Sequence, residues 1–348
     1  MRRGIPQLVK KPGTALVLSG GGTKAFYFHL GVLRALGLEG VTSIVGTSAG
    51  AVAGALLATG NTVDQVIASV HQREIYAPHL DQVVKSFDSS ILFHPQAANI
   101  LRQSAYTGIE ALKFLWSLPR LGTRDYFSEI LDRWMLSQNH VPGFFSASSL
   151  ESLFKSLLPS NDFRDAMIDL YVTATRLDGR ERGVFNAHYD FDDGENAFMD
   201  DVPIHKAVRA SVSIPGLFEP MRIHDRYYID GEIKQTLSVD IGAALADRII
   251  VSHTYQPLYR NDGSSLNDMG WLTIFKQAIH IVFHERIRVW RELYENTYPD
   301  KEFIWIHPDS DDAEMFFAPE FSFRREVQHH ILQSGETAAR KVLQVAVT

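Results

Sequence analysis

From Val41 to Val63 the chain carries no charged residue, and Gly46 and Gly50 cut the stretch in two. A single uncharged helix of that length would reach across a bilayer. The content argues against one helix: Thr42, Ser43, Thr47, Ser48, Thr59 and Asn61 interrupt it. What remains is a short β-like run at Ser43–Val45, a turn, and an Ala-rich helix over Ala49–Thr59. This reads as the buried centre of a soluble α/β domain.

The flanks extend the pattern. Thr14 to Ser19 (TALVLS) is a buried strand ending at a glycine triplet, and Thr23 to Gly37 a helix with Phe26, Leu30, Leu33 and Leu36 on one face. Strand–helix–strand–helix order implies a mainly parallel sheet with right-handed crossovers, covered by helices on both faces. Asn61 or Thr62 caps a further helix through His71. Asp169–Ala174 and Gly183–Asn186 pair across an Asp178-Gly179 turn, and Arg226–Ile229 and Arg248–His253 are the last clear strands of the core.

These elements divide the chain into a basic tail (1–13), a main α/β domain (14–262) with a helical, aromatic insertion (75–160), and a mainly helical C-terminal segment (263–348). Ser148 and Glu151 read as a capping box for the helix that Pro159 ends. Phe303–Ile306 is a strand-like run within the C-terminal segment.

Composition narrows the chemistry. Among 348 residues there is no Cys, which excludes disulfides, thiolate-bound metals and thiol nucleophiles. With 34 Lys and Arg against 41 Asp and Glu, the net charge of -7 has the wrong sign for tracking nucleic acid. Arg2, Arg3, Lys10 and Lys11 precede no apolar signal-peptide core, so a cytoplasmic chain is expected, its tail solvated or touching an anionic membrane.

Gly46-Thr47-Ser48-Ala49-Gly50 fits the G-x-S-x-G nucleophile elbow, at the expected junction of strand and helix. Gly46 and Gly50 supply the small neighbours a sharp turn needs. A second turn, Gly20-Gly21-Gly22-Thr23-Lys24, opens the first helix and can aim several N–H groups at an oxyanion. Lys24 reads either as positive charge near the same site or as a solvated lysine at a helix start. Gly20-x-Gly22-x-x-Ala25 also matches a dinucleotide fingerprint, but the second strand runs into Gly46-Thr47-Ser48 where a ribose-binding acid belongs. A Gly-Lys-Ser/Thr phosphate loop is missing too.

Asp230-Gly231-Glu232 follows an apolar strand expected to be parallel, which would put Asp230 at the same sheet end as Ser48. Ser48, Asp230 and His253 also fall in the chain order of an ordinary triad.

GGGTK, GTSAG 26 residues on, DGE, and the segment Ala207–Pro220 (AVRASVSIPGLFEP) together resemble the patatin-like phospholipases over Thr14 to His253. The resemblance implies a three-layer α/β/α sandwich and a serine acyl-ester hydrolase acting on lipids or phospholipids without cofactor or metal. By the same resemblance Ser48 is the nucleophile and Asp230 the base of a dyad without histidine. Gly20, Gly21, Gly22 and Thr23 form the oxyanion loop, supported by Lys24, Gly46, Gly50 and Gly231. Two positions depart from the family pattern: Ala25 stands where Gly is frequent, and Glu232 where Gly or Ala is usual. The remaining alternatives are the Ser48–Asp230–His253 triad and a non-catalytic lipid-binding effector that keeps the fold.

A carboxylate acting alone as base needs burial, and Tyr228, Ile229 and Ile214 are the expected apolar neighbours. Ile109–Leu118 and Val141–Leu158 are candidate lids or acyl grooves. Ile274–Leu293, amphipathic and basic, is a candidate for peripheral membrane contact. His284-Glu285 and His329-His330 lack metal-binding spacing.

Overall fold

The computed structural model describes residues 5, 7–72, 74–77, 82–85, 94–95, 143–146, 148–260, 262 and 264–345. β1 (Thr14–Leu18) leads into α1 (Gly22–Leu36), β2 (Val41–Thr47) into α2 (Ala49–Ala58), and α3 (Val63–Gln72) follows. Thr62 rather than Asn61 caps α3: its Oγ1 accepts the Gln65 N–H at 3.2 Å and Gln65 Oε1 accepts the Thr62 N–H at 2.9 Å.

Next come β3 (Glu74–Ala77), β4 (Gln82–Lys85), β5 (His94–Pro95), β6 (Gly143–Ser146) and α4 (Ser148–Leu157). Among the described residues the stretch expected to be helical holds, besides α4, two antiparallel pairs, β3 with β4 and β5 with β6. Ile75-Tyr76 and Val83-Val84 are β-branched and aromatic neighbours that suit a hairpin. The runs 109–118 and 126–136 lie outside the described residues. The proposed capping box is also replaced: the Ser148 N–H donates to Ser146 Oγ at 3.2 Å, while Glu151 faces His205 Nε2 at 3.9 Å.

The chain continues through β7 (Asp169–Arg176), β8 (Arg182–Phe185), β9 (Phe191–Asp192), β10 (Asn196–Met199), α5 (Ile204–Ser211), β11 (Gly216–Phe218), β12 (Met221–Ile223) and β13 (Arg226–Asp230). It ends with α6 (Val239–Leu245), β14 (Arg248–Ser252), α7 (Trp271–Thr297), β15 (Glu302–Ile306), α8 (Ala313–Phe317) and α9 (Arg325–Val345). The central sheet runs β15-β14-β1-β2-β7-β8-β10-β9, and its first five strands are mutually parallel.

Alternating side chains divide the core between two faces, as the pleat requires. Leu16, Leu18, Ile44, Leu170 and Val172 meet residues of α1, α2, α3, α4, α5 and α9 on one face. Val17, Val45, Tyr171, Ile249 and Val251 meet α6 and α7 on the other. The protein is therefore an α/β sandwich whose C-terminal segment supplies both an edge strand and an outer helix.

Every residue from Ser43 to Ala58 is buried, so the uncharged stretch is the middle of the sandwich. Among the described residues no helix is long and apolar enough to cross a membrane. The basic tail is not frayed from residue 7 onward. Leu8 is buried, Lys10 pairs with Asp247 at 2.7 Å, Lys11 pairs with Asp169, and the Lys11 N–H donates to the Leu245 carbonyl at 2.8 Å.

One strand runs opposite to expectation. β13 is antiparallel to β7, with Asp230 opposite Ala174. β7 outlasts β2, whose Thr47 lies opposite Thr173, so β13 enters from beyond the end of β2 and stops where β2 stops. Asp230 still arrives beside Ser48, by an antiparallel route.

Candidate active site

Parallel register brings three strand ends together. Leu18 lies opposite both Gly46 and Ser252, so the chain leaves β1, β2 and β14 at one level. Ser19–Gly22, Ser48 and His253–Tyr255 follow at that edge.

Ser48 sits between β2 and α2 with φ 51° and ψ -116°, one of two non-glycine residues with positive φ among those described. That conformation turns the chain sharply from strand to helix. The helix then presses on β1. A Cβ on Gly50 would lie 2.3 Å from the Leu18 carbonyl oxygen, and one on Gly46 would lie 2.5 Å from the Gly50 carbonyl oxygen. Both elbow glycines are thus required by contact.

The C-terminal end of α5 and the residues after it hold nucleophile and base together. Ser211 Oγ accepts the Ser48 N–H at 2.7 Å and donates to the Thr173 carbonyl at 2.7 Å. The Ser213 carbonyl accepts the Asp230 N–H at 2.9 Å. Buried Arg209 fixes this segment by donating to Ser213 Oγ at 2.7 Å and to the Glu219 carbonyl at 3.2 Å. Below the elbow, Thr47 Oγ1 and Thr173 Oγ1 share a hydrogen bond at 2.7 Å.

Asp230 is buried, its carboxyl interacting with the Ser48 side chain and, through Oδ1, accepting the Glu232 N–H at 2.9 Å. Burial raises its pKa to about 6, against the lowering effect of those two interactions. A carboxylate with that affinity accepts a proton from a hydroxyl better than an exposed one does. Gly231 packs under Thr47 and Thr173, where a Cβ would lie 2.7 Å from Thr47 Cγ2.

The glycine loop divides its donors. Gly20 does not offer its N–H to a ligand; it donates to Glu232 Oε1 at 2.5 Å. Gly21 has φ 125° and Gly22 φ 65°, and their N–H groups have no partner among the described residues at the N-terminus of α1. These two are free donors next to Ser48. The Thr23 side chain is occupied with the C-terminal loop, its Oγ1 donating to the Glu320 carbonyl at 3.2 Å and accepting the Ser322 N–H at 3.0 Å. Its N–H, like those of Gly21 and Gly22, has no partner among the described residues.

Lys24 meets neither expectation. Its side chain is buried and turned toward the C-terminal segment, with Nζ 3.3 Å from the Phe316 carbonyl and 3.9 Å from Glu320. Burial lowers its pKa to about 8. It anchors the loop that carries Glu320 behind the glycine turn.

His253 is not brought to Ser48. It is buried and stacked on His307 with ring centroids 5.3 Å apart, and burial holds its pKa well below the usual histidine value. Nor does it line either cavity at Ser48.

Two cavities meet at the nucleophile. A narrow one of about 60 Å³ is lined mainly by apolar side chains, among them Phe26, Tyr27, Val52, Leu150, Ile214 and Phe218. Leu150 comes from α4, while Leu153, Phe154 and Leu157 of that helix are buried in the core. A wider cavity of about 530 Å³ holds Asp230, Glu232, Tyr255, Lys276, His280 and Glu320 in its wall. Tyr255 and the role of Ser211 were not foreseen; the only trace of either was the small-residue run Ala210-Ser211.

A sequence model of one family, described as Patatin-like phospholipase, matches residues 16–242. Among solved structures the chain is similar to VipD from Legionella pneumophila, with 15% identity over 99% of this chain and 71% of that one and a TM-score of 0.44. It is similar also to ExoU in complex with SpcU from the type III secretion system of Pseudomonas aeruginosa, with 18% identity, 97% and 53% coverage and a TM-score of 0.35. A further structure of the type III effector ExoU gives 18% identity, 96% and 53% coverage and 0.38. The chain thus spans about half the length of the ExoU chains it matches.

Proposed function

The chain belongs to the patatin-like phospholipase family, and from that premise we propose that it is a lipid acyl-ester hydrolase working through a Ser48–Asp230 dyad. The observation that carries this reading is the buried Asp230 carboxyl, interacting with the Ser48 side chain where two cavities meet. Asp230 takes the Ser48 proton as Oγ attacks the ester carbonyl. The oxyanion forms against the Gly21 and Gly22 N–H groups and the positive end of α1. Asp230 then gives its proton to the leaving alcohol, and water, deprotonated by the same carboxylate, releases the acid from Ser48. The narrow apolar cavity takes the first carbons of the acyl chain, and the wide one the alcohol portion.

A fluorophosphonate ester, which phosphonylates an activated serine, tests the assignment. Wild type and His253→Ala are expected to label at rates within about threefold of each other, and Ser48→Ala not at all. Loss of labelling in a folded His253→Ala protein would favour the triad. Failure of wild type to label in the presence of lipid would favour the non-catalytic lipid binder.

The face of α7 supports a bilayer surface as the source of substrate. Trp271, Phe275, Ile279 and Val282 follow one helical stripe with exposures of 72%, 61%, 38% and 62%, and Phe275 and Ile279 also line the wide cavity. The apolar patch is therefore continuous with the route to Ser48, as entry from a membrane requires. Trp271→Ser with Val282→Ser, neither residue lining the cavity, is expected to weaken binding to phosphatidylcholine vesicles about tenfold or more. Hydrolysis of a short soluble ester should stay unchanged. Unaltered vesicle binding would remove α7 from this role, and a concentration-dependent dimer without vesicle binding would assign the face to a second copy.

A further inference from the structure

Glu232 stands where the family usually has Gly or Ala, and its carboxyl is buried at the centre of the site. It touches each part of the machinery. Its own N–H donates to Asp230 Oδ1 at 2.9 Å, its Oε1 accepts the N–H of Gly20, 212 positions away in sequence, at 2.5 Å, and the Tyr255 hydroxyl interacts with the carboxyl from beyond β14. The packing is equally close. A Cβ placed on Gly20 would lie 2.6 Å from Glu232 Cγ and 2.9 Å from Ser48 Cβ, so the Glu232 stem, the Gly20 backbone and the nucleophile are stacked.

We propose that Glu232 is a positioning residue that ties the glycine loop to the dyad turn, and so sets the Gly21 and Gly22 donors at the right place over Ser48. This rests on the hydrolase reading above. The tie crosses between two turns that otherwise belong to different strands: Gly20 follows β1, and Glu232 follows β13, which is not adjacent to β1 in the sheet. The loop is held elsewhere by the Gly50 N–H on the Ser19 carbonyl and by Thr23 on the Glu320 loop. Among the described residues, however, the Glu232 bond alone joins it to the turn that carries Asp230, and glycines at 21 and 22 leave its angle to that turn easily changed. Oxyanion donors are effective only when held in place before charge develops, and a displacement of about 1 Å can cost on the order of 10²-fold.

The required property is a hydrogen-bond acceptor, not a charge. Asp230 shares the turn, Tyr255 faces the carboxyl from beyond β14, Arg286 acts on it from α7, and Glu320 lines the same cavity from the C-terminal loop. Burial and the Asp230 charge push the Glu232 pKa well above that of an ordinary carboxyl. A neutral carboxyl accepts the Gly20 N–H through its carbonyl oxygen, and a carboxamide does the same.

The test compares Glu232→Ala, Glu232→Met and Glu232→Gln on a soluble ester, with hydrogen exchange at the Gly20 amide as a second readout. Ala and Met remove the acceptor, Met keeping the volume in case Ala fails to fold. Both should lower kcat about 10²-fold with KM within about threefold, and both should lose Gly20 protection. Gln should keep the protection and restore kcat to within about fivefold of wild type. Unchanged kcat in folded Glu232→Met would overturn the proposal. So would a higher kcat, which would make Glu232 a plug in the oxyanion site, or a Gln variant as slow as Met with Gly20 still protected. Failure of wild type to label with fluorophosphonate counts against the hydrolase reading alone, because Gly20 exchange reports on the tie independently of activity.

Discussion

Replacing Asp230 with Asn is expected to cut ester hydrolysis about 10⁴-fold and, above pH 6, to make the protein more stable. The loss follows from removing the carboxyl that interacts with the Ser48 side chain while keeping its shape: the amide oxygen still accepts the Glu232 N–H. The gain follows from the cost of burying a charge. Asp230 has a pKa of about 6 in the fold against 3.8 for an ordinary Asp. Below 3.8 the carboxyl is protonated in both folded and unfolded chains and its ionisation costs the fold nothing. Between pH 3.8 and about 6 the unfolded chain releases the proton while the buried carboxyl keeps it, so the fold loses stability over that window. Above 6, where the native carboxyl is ionised too, the loss levels off on the order of 3 kcal/mol. Asn has no such penalty.

Urea unfolding of both proteins at pH 4 and pH 8 measures the difference, which should be small at pH 4 and reach a few kcal/mol at pH 8. For wild type, kcat/KM should rise with pH through about 6 as the base form appears. A stability gap that does not widen with pH would show that burial does not tune Asp230, and residual activity near one per cent of wild type or above would take it out of the base role.

The legibility of this site in the sequence had a physical boundary. Gly46, Ser48, Gly50 and the Gly20–Gly22 run were readable because each acts within a few residues of its own position, where a turn or helix start dictates residue type. The order of β1, α1, β2 and α2 was readable for the same reason. Contacts between distant turns were not. The antiparallel course of β13 depends on β7 being longer than β2, a register fact with no local signature. Lys24 looked like a surface or site residue because its partners, the Phe316 carbonyl and Glu320, lie some 290 positions away. Glu232 was visible as a departure from the family pattern, yet its contact with Gly20 comes only from the fold. The strands at 74–77 and 82–85 were hidden among residues with helical and aromatic character, and only their β-branched pairs mark them.

Ser48→Gly should abolish hydrolysis, by about 10⁶-fold, while raising stability relative to Ser48→Ala. Both substitutions remove the hydroxyl and its interaction with Asp230, so the comparison isolates the backbone. At φ 51° and ψ -116° a residue with a Cβ is held in a sparsely populated conformation, at a cost of about 1–3 kcal/mol. The surroundings enforce it: the Ser48 N–H is tied to Ser211 Oγ at 2.7 Å, and the Gly50 N–H to the Ser19 carbonyl at 3.0 Å. Glycine adopts the same angles without that strain, though its more flexible unfolded chain returns about 0.5–1 kcal/mol of the gain. A net advantage of about 1 kcal/mol over Ser48→Ala is therefore expected, read as a Tm higher by roughly 2 °C in a protein of this size. If Ser48→Gly proves less stable than Ser48→Ala, the elbow stores no strain. The position of the nucleophile would then be set by the Ser211 and Ser19 hydrogen bonds alone.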